Sequence, residues 1–179
     1  MCGRYELNAT SKELRSFVGD LYVSDTDMPT AGEQNPGDPL LIVTKNSDGY
    51  FPSNARWGLV SQHLKYEPSK LLINLRSEGL PSKLYYNKLL KNNRCLIPAT
   101  AFFEWQSPAK HRQKLRISHA KGKALMFAGI FDHHPLAGTT CAILTTAADE
   151  LFGGNQARMP LMLARARLPE LYSCNCPTK

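Results

Sequence analysis

Arg94-Cys95-Leu96-Ile97-Pro98-Ala99-Thr100-Ala101-Phe102-Phe103-Glu104-Trp105 holds two apolar runs on either side of one threonine, and its reading decides the fold. Arg94 to Ile97 and Ala101 to Trp105 are each too short for a helix and read as successive strands. Working outward, Lys114 to Ser118, Ala124 to Phe131 and Thr140 to Thr145 continue the strand pattern. Upstream, Leu40 to Thr44 is a compact apolar strand, Asn46-Ser47-Asp48-Gly49 is a turn, and a further strand ends around Ala55 to Val60. Cys2 to Leu7 makes a first strand. Helices are few. Thr10-Ser11-Lys12-Glu13 reads as a capping box opening a helix through Leu14, Phe17 and Val18, with Gly19 as its stop. Pro81 suits the first turn of another, in which Leu84, Tyr85, Lys88 and Leu89 share a face. Residues 20 to 38 are polar and rich in Asp, Gly and Pro, hence loop. Many short strands with so few helices predict an α+β fold dominated by antiparallel sheet. Parallel βαβ winding lacks the crossover helices it needs.

The 179 residues carry no repeats, low-complexity tracts or linkers and are read as one domain over 2–179. Hydrophobic content of 42% and charged content of 21% are those of a soluble globular chain. No apolar run is long enough to span a membrane, and no signal-peptide pattern opens the chain. Five cysteines, Cys2, Cys95, Cys141, Cys174 and Cys176, form no disulfide framework, and Cys174-Asn175-Cys176 lacks partners at zinc spacing. A reducing cytoplasm is therefore the expected location, with no metal and no cofactor. The net charge of +7 favours an anionic partner, of which nucleic acid is the commonest.

Cys2 directly follows Met1. If Met1 is trimmed, residue 2 carries a free α-amine and a thiol on adjacent carbons, titrating near ~8 and ~8.5 in the unperturbed state. The amine condenses with an aldehyde to an imine, and the thiol closes a five-membered thiazolidine ring. An internal cysteine cannot do this, because its nitrogen is an amide. The alternative is a thiol that packs as a small hydrophobe.

Six islands then line up in order: Met1-Cys2-Gly3-Arg4-Tyr5, Trp57-Gly58-Leu59-Val60, Ile73-Asn74-Leu75-Arg76-Ser77-Glu78, Arg94-Cys95-Leu96-Ile97-Pro98-Ala99, Phe102-Phe103-Glu104-Trp105 and Arg158-Met159-Pro160-Leu161. Together they resemble the SOS-response-associated peptidase (SRAP) family from residue 2 to about residue 163. The resemblance implies a partly barrel-like sheet and a monomer that binds single-stranded DNA carrying abasic sites, including at replication junctions. It implies capture of the ring-opened sugar aldehyde by Cys2 as a thiazolidine crosslink. By the same resemblance Glu104 moves protons, Asn74 hydrogen-bonds near the sugar, and Arg4, Arg76 and Arg158 hold phosphates. Arginine suits that role because its planar fork pairs phosphate oxygens bidentately. Trp57 and Trp105 stand where bases can stack, with core packing the alternative for Trp57. The apolar setting of Glu104 predicts a partly buried carboxyl; a solvated strand residue is the alternative.

The match departs from the family pattern at Gln156, where relatives carry a histidine as a second acid–base group. Gln156 still hydrogen-bonds but transfers no proton near neutral pH. Gly32-Glu33 replaces a Tyr-Asn pair, and His63 stands where a second tryptophan is common. The segment from about 164 diverges from the family, and Leu168 to Lys179 reads as a tail. Two other functions stay open: an N-terminal-nucleophile amidohydrolase using the Cys2 thiolate, and a single-strand DNA-binding protein without chemistry.

Overall fold

The computed structural model describes residues 2–106, 113–148 and 158–168. Among the described residues, strands β1 (Tyr5–Leu7), β2 (Gly32–Gln34), β3 (Pro39–Asn46), β4 (Gly49–Trp57), β5 (Asn74–Arg76), β6 (Arg94–Ala99), β7 (Ala101–Gln106), β8 (Gln113–Ser118), β9 (Leu125–His134), β10 (Gly138–Ala147) and β11 (Arg158–Pro160) are accompanied by two α-helices. These are α1 (Ser11–Val18) and α2 (Leu84–Asn92).

Five strands close on themselves. β10 pairs with β4, β4 with β3, β3 with β6, β6 with β9, and β9 returns to β10. All of these pairings are antiparallel except β10–β4, which is parallel, as is the β10–β5 pairing that extends the same edge. The expected antiparallel α+β fold with a barrel-like sheet is what forms. The parallel seam needs no crossover helix, because β4 and β10 are joined through most of the barrel.

Alternation along the strands sets the layers. Leu40 and Ile42 of β3, Cys95 and Ile97 of β6, and Cys141 and Ile143 of β10 join one buried cluster with Trp57 and Phe127 inside the barrel. Their neighbours face outward and are covered. Leu41, Val43 and Leu96 pack under Leu14 and Val18 of α1. Ala128, Ala142 and Leu144 pack under Leu89 of α2. Gly129 lies where β6, β9 and β10 approach: a Cβ there would meet Ile97 Cδ1 at 2.9 Å and Cys95 Sγ at 3.0 Å.

A second, antiparallel sheet, β2-β1-β7-β8, lies against one end of the barrel and contributes Tyr5, Leu7 and Phe102 to its interior. Tyr5 sits edge-on to both Trp57 and Phe127, with ring centroids 5.4 and 5.8 Å apart.

The α1 capping box is complete: Thr10 Oγ1 accepts from the Glu13 amide, and the Glu13 carboxylate accepts from the Thr10 amide. Gly19 follows with φ of 87°, a left-handed backbone that suits glycine. Three expectations need correction. Residues 20 to 38 are not all loop, because Gly32–Gln34 adds an edge strand to β1 through pairing that no local pattern announces. α2 begins at Leu84, with Pro81 in the preceding turn, and its buried side is Tyr85, Tyr86, Leu89 and Leu90. Leu84 is 90% exposed and Lys88 is exposed, so neither belongs to that face. Among the described residues no helix is long and apolar enough to cross a membrane.

Candidate functional site

The pairing of β1 with β7 sets Tyr5 opposite Phe102, and the Phe103 amide donates to the Arg4 carbonyl at 3.0 Å. This brings the chain start alongside Glu104. Glu104 lies two residues beyond Phe102, so strand alternation turns it toward the same interior face, where it is 4% exposed. The expected burial of this carboxyl is met; the solvated alternative is not. Glu104 is near enough to Cys2 for its charge to act on the thiol.

Asn74 arrives from the other side. β5 lies parallel to β10, with Asn74 opposite Ile143, and the carbonyl of Ile73 accepts from both the Ile143 amide and the Trp57 indole N–H. Held this way, Asn74 donates from Nδ2 to the Cys2 carbonyl at 2.6 Å. The carbonyl only accepts, so the amide NH2 must face it. Asn74 Oδ1 is then buried with no hydrogen-bond partner among the described residues. Such an atom costs roughly 1–3 kcal/mol unless a donor reaches it. It is an unmatched acceptor beside residue 2.

Cys2 has no exposed surface, and burial pushes its thiol from the ordinary 9.0 up to about 12, with the nearby Glu104 charge acting in the same direction. Its Sγ lies 3.6 Å from the Arg4 carbonyl oxygen. Of the two readings left open by the sequence, a partly ionised nucleophile and a packed small hydrophobe, the enclosed thiol of this structure matches the second, with burial favouring its protonated form. A groove of about 770 Å³ opens beside this centre, lined by Asn74, Arg76, Lys83, Tyr86 and Arg158 among others. Asn74 thus touches both Cys2 and the groove.

The three arginines differ. Arg76 is exposed on the groove wall. Arg158 is 13% exposed at its side chain and holds Glu78 at 2.8 Å, Thr145 Oγ1 at 3.2 Å and the Thr145 carbonyl at 2.6 Å. It ties β11 to β10 and to the turn after β5. Arg4 pairs with Glu33 at 3.2 Å and lies 5.7 Å from the centre of the Trp105 ring. Glu33 also pairs with Lys114, which sits over Phe103. Glu33 and Glu78 were not read as site residues from the sequence, since a lone carboxylate carries no sign of which distant cation it meets.

Trp57 is a correction. It is fully buried and its indole supports β5, so it has no face to offer a base. Trp105 is half-buried, with the Arg4 guanidinium over its ring. The histidines left unplaced by the sequence now have positions. His134 is buried, with Leu64, Leu136 and Ala137 as partners, His133 bonds Thr139, and His119 accepts from the Lys121 amide. His63 packs against Tyr85, at 6.1 Å between ring centres. Gln156, His111, Cys174 and Cys176 lie outside the described residues.

The sequence profile of the SOS response associated peptidase (SRAP) family matches residues 1–173. Abasic site processing protein YoqW of Bacillus subtilis (strain 168) is 29% identical over 172 residues, covering 91% of this chain and 76% of the relative. Abasic site processing protein HMCES of Gallus gallus is 33% identical over 166 residues, covering 74% of this chain and 49% of the relative. A crystal structure of a protein from Bacteroides thetaiotaomicron superimposes with a TM-score of 0.81 at 17% identity, over 98% of this chain and 83% of that one. At that identity the likeness is one of fold.

Proposed function

The chain belongs to the SOS response associated peptidase family, and we propose that, with Met1 removed, it captures abasic sites in single-stranded DNA through Cys2. The names of the related proteins supply the substrate class. The observation that carries the chemistry is the meeting of Cys2, Asn74 and Glu104 beside a groove with arginine on its wall.

The α-amine of Cys2 attacks the sugar aldehyde, and the carbinolamine loses water to give an imine. The Cys2 sulfur then adds to the imine carbon while its proton passes to the imine nitrogen, closing the ring. Glu104 is the proton carrier for both steps. Asn74 Oδ1 accepts from a sugar hydroxyl, and Asn74 Nδ2 holds residue 2 in place. Arg76 meets the phosphate backbone, with Arg4 and Arg158 joining when their carboxylates release them, and Trp105 offers a stacking face. Residues 2–179 act here as one domain.

A thiolate peptidase is the weaker reading. Burial pushes the Cys2 thiol up to about 12, which disfavours the thiolate that a peptidase would need at neutral pH. The amine-first route needs no thiolate. Gln156 supplies no proton, so crosslink formation is slow and reversal slower still; formation and release rates left unchanged by Gln156→His would refute this. The decisive test of the function incubates the protein with a single strand bearing one abasic site, followed by a denaturing gel. A shifted band that requires the lesion and is lost in Cys2→Ala is expected. Its absence, with Met1 shown by intact mass to be gone, overturns the reading.

A further inference from the structure

From Lys83 to Arg94 the chain reads Lys-Leu-Tyr-Tyr-Asn-Lys-Leu-Leu-Lys-Asn-Asn-Arg, four cations and no acid. α2 buries Leu89 and rests on Tyr85, Tyr86 and Leu90, which turns Lys83, Lys88 and Lys91 outward. Three grooves follow one another along this helix. The first is the site groove, with Lys83 5.8 Å from the Tyr86 ring centre. The second, of about 670 Å³, is lined by His63, Tyr85, Lys88 and Lys91. The third, of about 360 Å³, shares Lys91 and Asn92 with the second and adds Lys45, Arg94 and Phe131.

Each groove therefore sets a half-exposed or exposed ring beside a cation. The Tyr85 hydroxyl donates to the buried Asp132 carboxylate at 2.6 Å, so this tyrosine offers its ring rather than its hydroxyl. Arg94 is half-buried and donates to the Leu90 carbonyl at 2.5 Å; its Nε is buried, so only the outer part of the guanidinium faces the groove. Cations that follow a backbone, alternating with rings on which bases stack, are the makings of a single-strand track. A partner bound through charge alone would not need the rings.

We propose that the exposed lysines of α2, with the half-buried Tyr85 and Tyr86 rings at its edges, form a second nucleic-acid surface, over which a single strand leaving the site groove runs toward the Lys45–Arg94 pocket. The inference rests on the reading of the site groove as a DNA site. Lys83 and Lys91 lie about 12 Å apart along the helix, enough to follow two or more phosphates. The surface carries no base-reading geometry, so it adds affinity and not sequence preference.

The test uses the full chain and undamaged single strands of about six and about twenty-five nucleotides, lengths that bracket common single-strand site sizes. Anisotropy titrations across a salt series compare the wild type with Lys88→Glu/Lys91→Glu, and unfolding curves check that both are folded. The wild type is expected to bind the longer strand at least about tenfold more tightly, with the variant losing that gain and about 1.4 of the salt slope, ~0.7 for each phosphate contact. Equal affinity and slope for wild type and variant on the longer strand overturns the proposal. So does a wild type that prefers duplex of the same length. Crosslinking of a six-nucleotide strand with an abasic site is scored separately: failure there refutes capture at Cys2, whereas the length effect on undamaged strands judges the α2 surface.

Discussion

Replacing Asn74 with alanine removes the contact that joins residue 2 to the groove. The side chain donates to the Cys2 carbonyl at 2.6 Å, with Ile73 beside it fixed by Trp57 and β10. A hydrogen bond of this kind contributes roughly 1 kcal/mol net, and leaving a buried carbonyl unmatched adds roughly 1 more, about 2 kcal/mol in all. If that energy holds residue 2 in its reactive position, crosslinking of an abasic strand slows by roughly thirtyfold, since each ~1.4 kcal/mol is a factor of ten. If it also stabilises the fold, the Tm falls by less than the roughly 4–8 °C that 2 kcal/mol represents for a chain of this size, because the variant also removes the unpartnered Asn74 Oδ1. Single-turnover crosslinking, sampled on denaturing gels, gives the rate, and thermal unfolding gives the stability. Asn74→Asp is the informative companion: it keeps the shape but replaces the donor with a group that repels the carbonyl oxygen. A rate within about threefold of wild type for both variants, far short of the ~1.4 kcal/mol that a tenfold change represents, would refute the positioning role.

Three further outcomes follow from the same geometry. Trp57→Phe keeps an aromatic core but removes one of the two hydrogen bonds to the Ile73 carbonyl, the Ile143 amide remaining, so a loss of roughly 1 kcal/mol in chemical unfolding is expected, with affinity for undamaged strands unchanged; Trp105→Ala should instead weaken that affinity by ~1–3 kcal/mol. Burial raises the thiols of Cys2, Cys95 and Cys141 above their ordinary 9.0, so the folded chain keeps protons that the unfolded chain gives up. Their contribution to stability is complete below pH 9 and is lost as pH climbs from 9 toward 12, which urea midpoints across that range measure; a midpoint that rises there contradicts it. Glu33→Gln frees Arg4 and Lys114 from a half-exposed carboxylate at a stability cost below ~1 kcal/mol. Affinity for single strands should rise and its salt slope steepen by up to ~0.7 per new phosphate contact, and a slope left unchanged would show that neither cation reaches DNA.

What could be read from the sequence depended on distance along the chain. The Thr10–Glu13 capping box, the Gly19 stop and the turn from Asn46 to Gly49 are decided by neighbours within a few residues, and each formed where the local pattern put it. The strand runs between Arg94 and Thr145 are likewise local, and their number was enough to predict the sheet class. Cys2, Asn74 and Glu104 were legible only as members of a family pattern; nothing within their own segments shows that they meet. Their meeting depends on β1 pairing with β7 and on β5 lying parallel to β10, contacts across some 70 residues or more. The same long reach decided what residue type could not. Trp57 became a strut because the barrel closed around it, Leu84 was left in water because α2 docked through its tyrosines, and Arg4 and Arg158 found carboxylates at Glu33 and Glu78. Local chemistry chooses helix, turn and strand, while closure of the sheet decides which side chains share one small volume and so what chemistry they can perform together.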